Sequence, residues 1–156
     1  MAIIVNPSTS GNPQNSDHLA ATTAKVMVNG DILFNIVGDV SIRYLYSECY
    51  TANDATATTM QYNATANAVS SVISNPSASL ANAAIGVAVV QNPASLTTTP
   101  TLTLANGVAL NLFGEVRIKG GGTINLIIAV GSTTGTWRHY VRYEPLETGA
   151  YVTPAF

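Results

Sequence analysis

The sequence predicts an all-β fold, an antiparallel sandwich or barrel. Three observations predict it. Runs rich in β-branched and aromatic residues recur along the 156-residue chain at spacings of roughly 8–15 residues. Glycine and asparagine punctuate them, at Asn29-Gly30, Gly38, Asn106-Gly107, Gly120-Gly121-Gly122 and Gly131. Helical spacing shows in only one short segment. No composition break or strong internal repeat divides the chain, so one domain over 18–156 is expected behind an arm over 1–17.

The arm begins with an apolar tip, Ala2-Ile3-Ile4-Val5. Asn6 to Asp17 follows without periodicity and with prolines at 7 and 13. Too few apolar residues lie there to fold alone. Extended, the segment could span about 40 Å, enough to reach a neighbouring subunit. Thr22 to Val28 reads as a strand, and Asn29-Gly30 as a type I′ hairpin turn into a strand over Asp31 to Val37. A second hairpin is expected through Val37-Gly38-Asp39. It pairs Ile36 with Val40, Phe34 with Ile42 and Ile32 with Tyr44, and puts Tyr46 on the same core face. Leu45 then shares the outward face of Arg43, which this register does not explain.

Thr51 to Thr56 reads as a loop and Thr58 to Thr65 as a strand with Met60, Tyr62 and Ala64 on one face. Ala68, Val69, Val72 and Ile73 fall at helical spacing, so one or two helical turns are expected between Ala66 and Ser74. Ala84 to Gln91, Thr101 to Leu104, Val108 to Leu112 and Glu115 to Lys119 continue the strand pattern, with a threonine-rich loop over Asn92 to Thr99. A third hairpin is expected at the end of the chain. Its register opposes Val130 with Trp137, Ile128 with His139, Leu126 with Val141 and Ile124 with Tyr143. The other face then carries Asn125, Ile127, Tyr140 and Arg142. That face is only half polar, as suits contact with another chain. The tail, Ala150 to Phe156, is apolar.

Charged residues make up 9% of the chain, against about 25% in an ordinary soluble protein. No apolar run approaches the ~20 residues of a membrane helix, so no membrane role is expected. Sparse charge gives little protection against self-association. The net charge of −2, without a basic cluster, lacks the footprint of nucleic-acid binding. The single Cys49 allows no internal disulfide, and no charged segment precedes an apolar one at Met1, so synthesis in a cytosol is expected.

No spacing of His and Cys offers a metal site, and no cofactor motif is present. His139 falls beside the core set and reads as a structural histidine. Cys49 reads as a buried thiol rather than as the partner of His139 in a thiolate–imidazole pair. Nothing in the spacing of the eight acidic residues selects a catalytic pair. A non-enzyme is expected.

Several stretches carry a resemblance. Gly30-Asp31-Ile32-Leu33-Phe34-Asn35-Ile36-Val37-Gly38 leads into Val40-Ser41-Ile42 and Leu45-Tyr46. Gly135-Thr136-Trp137-Arg138, Tyr143-Glu144-Pro145-Leu146 and Gly149-Ala150-Tyr151-Val152 follow later. Together they cover about a third of the chain, and the chain resembles the head decoration (cement) proteins of tailed bacteriophages. The resemblance implies a jelly-roll-like sandwich of about eight or nine strands with an extended arm. It implies a virion structural protein on the capsid exterior that bridges capsomers, with the major capsid protein and sister copies in a homotrimer as partners. Ile3, Ile4, Val5, Asn125, Ile127, Tyr140 and Arg142 are the expected interface residues. The alternative is a tail or receptor-binding module that engages a host glycan through Tyr50 to Asp54 or Tyr140 to Tyr143.

Overall fold

The computed structural model describes residues 17–90, 108–110, 115–131 and 134–156. The tip residues Ile3, Ile4 and Val5 and the expected features between Asn92 and Gly107 lie outside them. Every regular element among the described residues is a strand: β1 (His18–Ala21), β2 (Lys25–Val26), β3 (Ile32–Val37), β4 (Val40–Thr51), β5 (Met60–Ala66), β6 (Val69–Val72), β7 (Ala88–Val90), β8 (Val108–Leu110), β9 (Val116–Ile118), β10 (Gly122–Ile128), β11 (Thr136–Pro145) and β12 (Tyr151–Pro154). Two antiparallel sheets pack as a sandwich. The first has seven strands in the order β1-β11-β4-β9-β8, with β2 also on β11 and β7 also on β4; the second runs β12-β3-β10-β5-β6. The twelve strands exceed the expected eight or nine because two lines of pairing are broken. β1 and β2 share β11, and β7 and β9 share β4.

The chain changes sheet at most connections between the described strands, which gives β1-β11-β4-β9 over β3-β10-β5-β6. That is a jelly-roll-like order of two Greek keys. It overturns the three expected hairpins. β2 and β3, β3 and β4, and β10 and β11 each lie in opposite sheets. Trp137 therefore pairs with Cys49, and Val130, beyond the end of β10, is 52% exposed. The turn at Asn29-Gly30 exists, with the Asp31 amide donating to the Val28 carbonyl at 3.1 Å. Only Gly30 has a positive φ there, so it is not type I′. At the β3–β4 corner, Gly38 has φ +72°. A Cβ there would lie 2.6 Å from Glu147 Oε1, which instead accepts a hydrogen bond from the Asp39 amide at 2.9 Å.

Two hairpins among the described strands are local, β8–β9 and β5–β6, and the second sits where helical turns were expected. β5 and β6 pair Ala66 with Val69 around Asn67-Ala68, whose φ values are +50° and +62°. Two positive φ values in a two-residue loop define a type I′ turn, and the right-handed twist of the strands favours it.

The core lies between the sheets. Phe34, Ile36, Met60, Tyr62, Ile124 and Leu126 from the second sheet meet Val40, Ile42, Leu45, Trp137 and Val141 from the first, all 5% exposed or less. Two bulges tune which residues enter it. Phe34 is opposite Ile124 and Ile32 opposite Asn125, so Leu33 is an extra residue. Leu33 turns inward and Ile32, expected inward, is 43% exposed. In β4, Tyr143 is opposite Ile42 and Arg142 opposite Tyr44, so Arg43 is the extra residue. The alternation flips there. Leu45, Ser47 and Cys49 point inward, while Tyr44 and Tyr46, expected in the core, point out.

Two stability outcomes follow. Trp137, fully buried, also donates its indole N–H to Asn53 Oδ1 at 3.0 Å. Trp137→Ala is expected to cost about 3–5 kcal/mol in chemical denaturation. Ala68→Gly should raise stability by up to about 1 kcal/mol, because Ala68 holds a left-handed backbone that glycine adopts freely.

Candidate functional site

The expected interface residues do not form one face. Asn125 and Ile127 project from β10 on the outside of the five-stranded sheet, while Tyr140 and Arg142 project from β11 on the outside of the seven-stranded sheet. The sandwich separates the two pairs, because β10 and β11 belong to different layers. Two candidate surfaces replace the single one.

The first surface is defined by what it lacks. None of the five strands of the second sheet contains Asp, Glu, Lys, Arg or His. Its outer side presents Asn35, Gln61, Asn63, Thr65, Thr123 and Asn125, with Ile127 among them. Asn63 and Asn125 face each other across β5 and β10, and the Oδ1 of each is covered without a hydrogen-bond partner.

The second surface is the outside of the seven-stranded sheet, where the β4 bulge delivers two tyrosines. Leu19, Arg142 and Tyr44 are direct neighbours across β1, β11 and β4; Ala21, Tyr140 and Tyr46 form the next rung. The rings of Tyr46 and Tyr140 stack at 4.4 Å and 5°, and Tyr44 is inclined at 51° to Tyr46 at 5.5 Å. Burial, then the neighbouring Tyr140 and Glu48, push the Tyr46 hydroxyl pKa up. Arg142 Nη2 meets Asp17 Oδ2 at 3.0 Å, so the last residue of the expected arm is already tied to the sheet. Arg43 pairs with Glu115 at 3.1 Å and with Glu144. Burial lowers the Arg43 pKa, but the Glu144 hydrogen bond and the carboxylates of Glu115, Glu144 and Asp17 outweigh it and raise the value. Asp17, Leu19, Arg43, Tyr44, Tyr46 and Arg142 line an open groove of about 750 Å³. Sequence periodicity assigned Tyr44 and Tyr46 to the core. The parity conflict between Arg43 and Leu45 was the signal that could have moved them.

A third cluster has the look of chemistry but is sealed. Ser47 Oγ lies 2.6 Å from His139 Nδ1 and 2.6 Å from Tyr62 Oη. Ser47 is 0% exposed and His139 1% exposed, so no substrate reaches the pair. Burial lowers the His139 pKa to about 4 and raises that of the Tyr62 hydroxyl. The network ties β4 and β11 to β5 across the sandwich, a structural role that satisfies buried polar groups. Cys49 is also buried, and burial raises its thiol pKa, so it is an inert interior group. Among the described residues, no three His, Cys, Asp or Glu side chains come together as a metal site.

No protein-family model, curated protein or solved structure matches the chain.

The buried histidine makes stability pH-dependent. Its folded-state pKa lies below the ordinary 6.5, so the unfolded chain takes up the proton first. This contribution is intact above about pH 6.5 and is lost as pH falls towards 4, by about 3 kcal/mol in all. Denaturation midpoints at pH 7, 5.5 and 4 should fall in that order, and the fall should be shallower in His139→Gln.

Proposed function

We propose that this protein is a non-enzymatic structural component of a phage virion. In this reading it is made in the host cytoplasm, binds the outer surface of the capsid and stabilises it by bridging capsomers as a homotrimer. The observation that carries the reading is the charge-free outer side of the five-stranded sheet. Sheet faces meant for water normally carry Lys and Glu, which oppose association. Charge is also the most costly group to strip of water, so a face without it is cheap to cover. Depletion of charge is the compositional mark of an interface centre. The jelly-roll-like strand order, common to many viral capsid domains, adds support by analogy.

The test places charge on that face. Thr65→Lys with Asn125→Lys should abolish co-sedimentation with undecorated heads and lower the oligomeric state in light scattering, while the melting temperature shifts by a few degrees at most. Retained binding to heads would overturn the assignment of this face. Removing residues 1–16 should weaken binding to heads or trimer stability, the outcome expected if Ile3, Ile4 and Val5 dock on a neighbouring subunit.

A further inference from the structure

We propose that the tyrosine-walled groove on the seven-stranded sheet is a binding site for an uncharged saccharide. It lies on the opposite side of the sandwich from the charge-free face, so this inference does not rest on the capsid reading. A sugar ring offers two chemistries: patches of C–H that sit against aromatic rings, and hydroxyls at the rim that both donate and accept. The groove offers the complement of each. Tyr44 and Tyr46, inclined at 51° with centroids 5.5 Å apart, form a faceted aromatic wall. Tyr140, stacked on Tyr46 at 4.4 Å, backs that wall and limits its motion. Leu19, 62% exposed, supplies an apolar rim on the facing strand. Arg142 and Asp17 supply fixed donors and acceptors at that rim, their geometry set by the 3.0 Å pair between them. A few placed polar groups among aromatic walls are the usual make-up of a small-ligand site.

The charges select a neutral ligand. Each arginine at the groove already holds a carboxylate: Arg142 has Asp17, and Arg43 has Glu115 and Glu144. Three acids against two arginines leave no positive excess. An acidic sugar or a phosphate would have to displace a carboxylate that is already paired. A purely apolar ligand would leave the ionic groups of Asp17, Arg43 and Arg142 that line the groove beside unsolvated surface. Hydroxyl groups can join both members of an ion pair without breaking it.

The measurement is a glycan microarray with neutral and sialylated or uronic oligosaccharides, followed by NMR titration of the full-length protein with the best neutral hit. Binding to neutral oligosaccharides is expected, with shifts confined to Leu19, Tyr44, Tyr46, Arg142 and their neighbours. Tyr44→Ala and Arg142→Met should each weaken it at least tenfold. Leu19→Trp, a change at an exposed position that fills the groove, should do the same without altering the melt. Tyr151→Ala on the other sheet should leave it unchanged. Binding to acidic glycans alone, no saccharide binding, capture of a polypeptide instead, or binding that survives Leu19→Trp would each overturn the proposal.

Discussion

A single extra residue in β4 governs much of this molecule. Because Arg43 has no opposite number on β11, the in-out alternation reverses midway along the longest strand. Below the reversal Val40 and Ile42 face the core; above it Leu45, Ser47 and Cys49 do. Without the reversal, three tyrosines and a glutamate would compete for the interior, and the Ser47 hydroxyl could not reach His139 and Tyr62. The displaced Arg43 is itself held outside by Glu115 and Glu144, so the irregularity is anchored at the residue that causes it.

The two sheets carry different loads. All ionisable side chains on strands other than tyrosines belong to the seven-stranded layer or its rims, and the five-stranded layer is left without charge. The interior joins them by two means. Apolar side chains supply most of the stabilisation, and the chain from His139 through Ser47 to Tyr62 supplies direction, since hydrogen bonds tolerate far less misalignment than methyl contacts do. That direction fixes β5 of one layer over β4 and β11 of the other.

The all-β class was legible because alternation and turn residues are local properties. So were the inward faces of β5, β10 and β11: Met60, Tyr62, Ile124, Leu126, Trp137, His139 and Val141 are all buried as their spacing predicted. Pairing was not legible, and the reason is geometric. A hairpin and a corner between sheets both bring the same alternating residues to the same core. Gly38 and Asn29-Gly30 serve either arrangement, so local sequence does not say which strand lies alongside. The split of Asn125 and Ile127 from Tyr140 and Arg142 follows from that ambiguity. Bulges defeated the rest. Tyr44, Tyr46 and Ile32 were assigned inward by a period that a single inserted residue reverses, and Leu45 and Leu33 took their places. The β6 segment misled because Val69 and Val72 fit a helical repeat by chance of spacing.

The position of β10 has a consequence for synthesis. It fills the slot between β3 and β5, yet it is made some sixty residues after β5 ends. While the ribosome completes the intervening chain, the facing edges of β3 and β5 have no common partner and the half-built interior is open to water. Closure of long loops precedes the reward of pairing in such an order, so folding is slow and late. The nascent chain is therefore most exposed to aggregation and proteolysis in the interval before Gly122–Ile128 emerges, and chaperone engagement would act on that interval.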